Sequence, residues 1–399
     1  MRILEVSPDY PPWATGGAPE TFRLLAESWN SSGHEVTVAC SRPLRQSNEE
    51  PAPGAIRVVS FDLWNLAARL HEARYFAPMT RPSHRRFLEF VRATAGQYDL
   101  VVVQGLLETM PREFVRHQDP ADRAHTLSLQ YGVSSADGSR LLGATSRTIY
   151  RSYGRRLSRR TPRVVLFSDE SEREWHQYFG KGTGASIRRL GLGVDTETLV
   201  RETAEVQEHP SRVDEWLSSR GVRSPFVVAV GRNDRAKGFD VAIDALRYLG
   251  TDRPSLNLVL AGERTPFTDQ LVKQAKAEGL EPRVVILGRV SGWERIALLS
   301  RADAFLIPSR KEGYGLNAVL ARLLSKPTVA TRTGAHPEIF AGDGRSRLVP
   351  PSDPQGFAGA IRDVLNEGPS PLAVDPVQIS RFDIREVAAA LVEIGTRRP

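Results

Sequence analysis

The chain has a single cysteine, Cys40, so it can hold neither an intrachain disulfide nor a cysteine-cluster metal site, which suits a reducing compartment. No apolar run approaches the length needed to cross a bilayer, and the amino terminus MRILEVSPDY lacks the layout of a signal peptide. Together these features place the protein in the cytoplasm. There is no repeat of solenoid period and no low-complexity tract, which sets those classes aside. The apolar run RILEVS is not followed by G-x-G-x-x-G, and that argues against a dinucleotide-dependent oxidoreductase.

What is present is the composition of an ordinary globular protein, with 40% apolar and 25% charged residues. A length of 399 residues exceeds what one hydrophobic core usually serves, so two domains are expected. The net charge of +7, carried mostly by arginine, suits an anionic ligand or surface without choosing among lipid, nucleic acid and nucleotide. Short apolar runs alternate with helix-period segments throughout. Strands are expected at RILEVS, HEVTVAC, IRVVSF, YDLVVVQ, HTLSLQ and RVVLFS, then at FVVAVG, LNLVLAG, VVILG, AFLIPS, PTVATR and RLVP. The fold class is therefore α/β, with two doubly wound, Rossmann-like domains. Strand-like hydrophobicity lapses after LGLGVD, in the polar stretch that opens with TETLVRET, which divides the chain into residues 1–195 and 196–378. A final helix over about 379–397, containing DIREVAAALVEIG, is expected to cap one of the two, a return onto the first being one arrangement.

In open parallel sheets the ligand lies beyond the carboxyl ends of the strands, so the loops at those ends are where chemistry is sought. After RILEVS comes PDYPPWATGGAPETF, where Gly16 and Gly17 let the backbone pass close to a ligand just before a helix whose amino end favours anions. A simple turn is the equal alternative. After FVVAVG, the loop GRNDRAKG opens at Gly231 and carries Arg232 and Lys237, a pair suited to a diphosphate: guanidinium grips two oxygens, and ammonium adds a mobile point charge. After AFLIPS, the turn RKEGYG leads into the helix pattern LNAVLARLL, whose first amides are free to bind phosphate oxygens. Gly313 and Gly315 remove side chains that would block that approach. Two roles suit Glu312: accepting hydrogen bonds from sugar hydroxyls, or stabilising the helix amino end as an acid near the dipole.

The order G-R-x4-K-G, S-x2-E-G-Y-G-L before a helix, then TGAHPEIF and RLVPPSD resembles the retaining nucleotide-sugar glycosyltransferases often called family 4. The resemblance covers nearly the whole chain, including IRRLGLGVDTETL and the amino-terminal glycine pair. It implies the GT-B fold, two Rossmann-like domains facing across a cleft, with the sugar donor held chiefly by the second and the acceptor chiefly by the first. It implies no metal and no cofactor beyond the nucleotide-sugar substrate. Arg232 and Lys237 match the catalytic basic pair that grips the donor diphosphate, and Glu312 matches the acid that contacts the donor sugar. Gly231, Gly313, Tyr314, Gly315 and Leu316 match backbone around sugar and phosphate, while Gly16 and Gly17 match the loop that closes over the donor.

Two positions depart from the family pattern. Leu320 stands where relatives place a second glutamate on the ribose, eight residues after Glu312. Losing such a charged hydrogen bond costs about 1.5–3 kcal/mol, with Asn317 and Arg322 as nearby candidates for compensation. Gln130 occupies the place of a common histidine and can bind a hexose hydroxyl but cannot shuttle a proton. His125 lies at the opposite end of that strand, and His336 is expected to shape the turn it shares with Gly334 and Glu338. Arg147, Arg151, Arg155 and Arg159 recur every four residues as a basic ridge, read first as a solvated helix face. Its alternative is peripheral docking to anionic lipid, so that a lipid-linked acceptor is reached. The resulting expectation is a retaining hexosyltransferase acting on a saccharide, lipid or metabolite hydroxyl, with no nucleic-acid partner. The alternatives are a non-catalytic or atypical-donor protein and a sugar-nucleotide epimerase of the same fold.

Overall fold

The computed structural model describes residues 1–397 except 15, 44–54, 64–78, 107, 132–153, 155, 181–183, 291, 369 and 370. The chain forms two compact units, Met1–Gly193 with Asp383–Pro399, and Val194–Phe382.

In the first unit, strands β1 (Arg2–Ser7), β2 (Glu35–Pro43), β3 (Arg57–Leu63), β4 (Leu100–Gln104), β5 (Thr126–Gln130), β6 (Arg163–Leu166) and β7 (Ser186–Arg189) lie parallel in the order β3-β2-β1-β4-β5-β6-β7. Strand β4, LVVVQ, is buried at every position, as an unbroken apolar run in a sheet covered on both faces must be. One face gathers Leu4, Val6, Val101 and Val103 under Phe87, Phe114 and Trp175, which come from helices Arg81–Ala93, Thr109–His117 and Asp169–Phe179. Helices Gly17–Ser31 and Ile384–Thr396 pack together within the same unit: the Trp29 indole donates to the Ala388 carbonyl (2.9 Å), and the Arg163 guanidinium donates to the carbonyls of Gly395 and Arg397. The segment read as one terminal helix is thus two. Pro376–Phe382 belongs to the second unit and Ile384–Thr396 to the first.

The second unit repeats the plan with β8 (Phe226–Val230), β9 (Asn257–Ala261), β10 (Val284–Leu287), β11 (Ala304–Ile307), β12 (Thr328–Thr331) and β13 (Ser346–Val349), in the parallel order β10-β9-β8-β11-β12-β13. Phe239, Leu246, Leu271, Phe357 and Ile361 close its core over Val227, Leu258, Leu260 and Leu306. Both strand orders reverse direction once, between β1 and β4 and between β8 and β11, and those switch points open a crevice at the carboxyl edge. The polar stretch after LGLGVD is no linker: it folds as helices Thr196–Glu208 and Pro210–Ser219, with Leu199, Val206, Val213 and Leu217 buried. Those helices are part of the second unit, which begins at Val194.

One polar group sits inside the first sheet. Glu5 in β1 is fully buried, its Oε1 accepts from Gln104 Nε2 (2.5 Å), Tyr131 Oη donates to Gln104 Oε1 (2.6 Å), and Oε2 has no partner. Burial pushes the carboxyl up to about 8, against the lowering effect of the Gln104 hydrogen bond. The folded state therefore holds a proton that the unfolded chain releases near its ordinary value of 4.5, so stability is lost as pH rises through the interval up to about 8. Glu5→Gln is expected to match the wild type in acid and to melt at a higher temperature above neutrality, a difference read directly from thermal melts across pH.

Candidate functional site

Three loops at the carboxyl edge of the second sheet meet. The loop after β8 starts at Gly231 (φ 154°), whose amide donates to the Ala261 carbonyl. It ends in a short turn, Arg235–Lys237, capped by Asp234. One Asp234 oxygen accepts from the Lys237 amide (3.1 Å) and the other from Arg232 Nε (2.7 Å), so a single carboxylate fixes both Arg232 and Lys237. Gly238 follows in the left-handed region (φ 67°), packed so tightly on β11's exit that a Cβ there would stand 2.0 Å from the Pro308 carbonyl oxygen. Glycine alone fits on both counts.

The loop after β11 is stitched to the first. The Arg310 amide donates to the Ala236 carbonyl (2.7 Å), and its guanidinium makes a forked pair with Asp240 (2.7 Å for each arm). This brings Lys237 Nζ to Glu312, 2.7 Å from Oε1 and 2.9 Å from Oε2, while Ser309 Oγ donates to Oε1 (2.7 Å). The Lys237 stem lies along Gly231, whose missing Cβ would be 3.6 Å from Lys237 Cγ. Burial alone would raise the Glu312 carboxyl, but the Lys237 ammonium, the nearby His336 and the hydrogen bonds from Lys237 and Ser309 outweigh it and hold the group below its ordinary range. Glu312 is accordingly an anion at neutral pH.

Gly315 (φ 109°) is the amino cap of helix Leu316–Leu323, and no side chain caps its first amides. Gly313 is exposed, Tyr314 is buried, and Leu316 is half-buried. The third loop, after β12, closes the far side: the Ala335 amide donates to the Tyr314 carbonyl (3.1 Å), and a Cβ on Gly334 would meet Glu312 Cβ at 2.9 Å. His336 is buried against Gly315, with Nδ1 2.8 Å from the Thr331 carbonyl.

Arg232, Lys237, Glu312, Gly231, Gly313, Tyr314, Gly315 and Leu316 thus share one edge of the second unit. Leu320 lies on the buried face of the helix, 5% exposed. Neither neighbour stands in for the missing acid: Asn317 Nδ2 donates to the Val230 carbonyl (2.6 Å), and Arg322 pairs with Asp375 (3.2 Å). In the first unit, Gly16 (φ 125°) caps helix Gly17–Ser31, and Gln130, at the carboxyl end of β5, is buried with Nε2 donating to Ser128 Oγ (3.1 Å). His125 is exposed before β5. Arg159 is exposed, while Arg147, Arg151 and Arg155 lie outside the described residues. Asp234, Ser309 and the Arg310–Asp240 fork escaped the sequence reading. Only Asp234 left a signal, a capping acid three residues before Lys237.

Residues 215–378 match the family model described as glycosyl transferases group 1. That segment is a group 1 glycosyltransferase domain. Over its whole length the chain is 26% identical to the glycogen synthase of Mycobacterium tuberculosis, across 97% of that relative. The fold of the chain matches sucrose-phosphate synthase from Thermosynechococcus elongatus with a TM-score of 0.68 at 18% identity, covering 99% of this chain and 96% of that one. It also matches Anabaena HepE, solved in complex with UDP-glucose, with a TM-score of 0.64 at 20% identity, covering 99% of this chain and 97% of that one. Both likenesses are of fold: paired Rossmann-like domains of the GT-B type. Among the described residues no helix is long and apolar enough to cross a membrane.

The tight seat of Gly238 generates a direct test. Gly238→Ala forces a Cβ into the Pro308 carbonyl at an unfavourable φ, at a cost of about 1–3 kcal/mol, and displaces Lys237 from Glu312. The melting temperature is expected to fall in differential scanning calorimetry.

Proposed function

We propose that the protein is a retaining hexosyltransferase that moves a sugar from a nucleoside-diphosphate donor to a hydroxyl of a saccharide, lipid-linked or small-molecule acceptor. The observation that carries this reading is the meeting of a lysine, an ionised glutamate and an uncapped helix amino end at the switch point between β8 and β11. The uncapped amides and the Arg232 and Lys237 side chains are suited to a diphosphate, and Glu312 to the hydroxyls of the attached sugar. The solved Anabaena neighbour, held with UDP-glucose, supports a donor of this class.

On this reading the main catalytic effect is stabilisation of charge. As the glycosidic bond breaks, negative charge gathers on the departing diphosphate, where Lys237, Arg232 and the helix amides lower its energy. The departing phosphate then takes the acceptor's proton on the same face, so no enzymic base is needed and Gln130 serves by hydrogen bonding. We assign the stabilisation of that charge to these cations and amides. On this reading the second unit is the donor-binding domain and the first the acceptor-binding domain.

A second reading, a protein of altered donor choice or none, is favoured by Leu320, because its helix presents no acid for a ribose diol and both polar neighbours are engaged elsewhere. Calorimetry with a panel of nucleoside diphosphates separates the two: binding to one of them supports the transferase, binding to none the drifted pocket. Lys237→Ala is expected to lower turnover by about 10²–10³-fold with an unchanged far-ultraviolet dichroism spectrum. Turnover equal to wild type refutes the role given to Lys237.

A further inference from the structure

The wall of the donor site holds a polar atom for which the proposed transfer has no use. His336 is 0% exposed, its Nε2 has no hydrogen-bond partner, and that edge of the ring lies against Gly315, where a Cβ would stand 2.6 Å from Nε2. The other nitrogen is accounted for. Nδ1 sits 2.8 Å from the Thr331 carbonyl, which only accepts, so Nδ1 carries the hydrogen and the neutral ring leaves Nε2 as a bare lone pair beside the amino end of helix Leu316–Leu323. A lone pair next to the positive end of a helix dipole is poorly placed to take a proton, until an anion occupies that end.

We propose that His336 is neutral in the empty protein and becomes an imidazolium when a nucleoside-diphosphate sugar binds, so that donor binding and proton uptake are coupled at this residue. The inference rests on the donor reading above and deepens it. Several neighbouring groups act on the ring. Burial lowers the basicity of His336; Glu312 raises it, the hydrogen bond to the Thr331 carbonyl raises it, Lys237 lowers it, and Glu338 on its own short helix raises it, the net direction being down. Diphosphate bound at the uncapped amides changes two of these influences at once. It adds negative charge in front of Nε2, and it draws Lys237 from Glu312, leaving that carboxylate to act on the ring unopposed. Both changes favour the charged ring through the field they exert on it, without any ligand atom having to reach the buried Nε2. His336 is in this sense a positioning residue: it tunes the field at the phosphate site without entering the bond exchange.

The test is isothermal titration calorimetry of the full chain with UDP-glucose and with GDP-mannose, in buffers of different ionisation enthalpy. Their diphosphates are esterified at both ends and do not titrate near neutrality. Proton uptake on binding, with the dissociation constant rising by up to about tenfold per pH unit in the window between the free and bound states of the ring, supports the proposal. Both effects should vanish in His336→Asn, whose amide still reaches toward the Thr331 carbonyl. Binding without proton uptake, or equal uptake in the variant, overturns it while leaving the donor reading intact. Failure of both donors and of every nucleoside diphosphate in the calorimetric panel to bind overturns that reading and this inference together. Should the variant not fold, ring-nitrogen NMR of the wild type decides: His336 must pass from neutral to charged on adding donor, and a ring unchanged by donor sinks the idea.

Discussion

The contact on which the site depends is the pair between Lys237 and Glu312, joined across two loops that only meet because Gly238 lacks a side chain. Glu312 is 9% exposed and Lys237 27%, so the pair is sheltered, and removing one member of such a pair leaves a buried charge at a cost of about 3–5 kcal/mol. Asp234, Arg310 and Asp240 hold the loops in register, and Ser309 aims the carboxylate. What results is a site that is self-neutralised at rest. Its cation is already in place, satisfied by an internal anion that a diphosphate would have to outbid, and its helix amides are already oriented. Such preorganisation is what electrostatic stabilisation of a leaving group requires, because little has to move while charge develops.

Neutrality at rest also bears on selectivity. A solitary phosphate offers Lys237 little that Glu312 does not, whereas a nucleotide sugar brings hydroxyls for the released carboxylate together with anionic oxygens for the cation. On the proposed reading, discrimination would come from satisfying both partners of the broken pair, since leaving either one buried and unmet is penalised. Leu320 sits on the other side of that helix's amino end, packed inward, so any recognition of the ribose is left to groups other than this side chain.

Much of this was legible in the amino acids, for identifiable reasons. The nine interior strands announced themselves as apolar runs because both faces of each sheet are covered there, which favours β-branched residues without alternation. The edge strand β7, SIRR, did not, because it is largely exposed and its charged residues look like loop. The helices Thr196–Glu208 and Pro210–Ser219 were hidden for the opposite reason: polar residues dominate their composition while, of the apolar ones, Leu199, Val206, Val213 and Leu217 mark the buried stripe. At the site, Gly231, Arg232, Lys237, Glu312 and Gly315 could be picked out because the sheet's switch point says which loops matter. The fork from Arg310 to Asp240, the partnership of Ser309 with Glu312 and the orphaned nitrogen of His336 could not, since each depends on the register of separate loops and on no spacing along the chain. Glu5 escaped notice because a lone acid inside RILEVS looks like the polar side of a half-covered strand.

The chain begins the first unit, leaves it at Gly193, and comes back to it at Asp383, where Ile384 crowds Gly193 so closely that a Cβ there would lie 2.7 Å from its amide. Synthesis on the ribosome is vectorial, so Trp29, Arg163 and the whole flank of helix Gly17–Ser31 emerge long before the residues that cover them. The second unit, by contrast, is contiguous from Val194 to Phe382 and has all its strands before the last helix leaves the exit tunnel. The usual order of domain maturation is thereby reversed: the half made first is finished last, and its apolar flank stays open until helix Ile384–Thr396 has emerged to cover it.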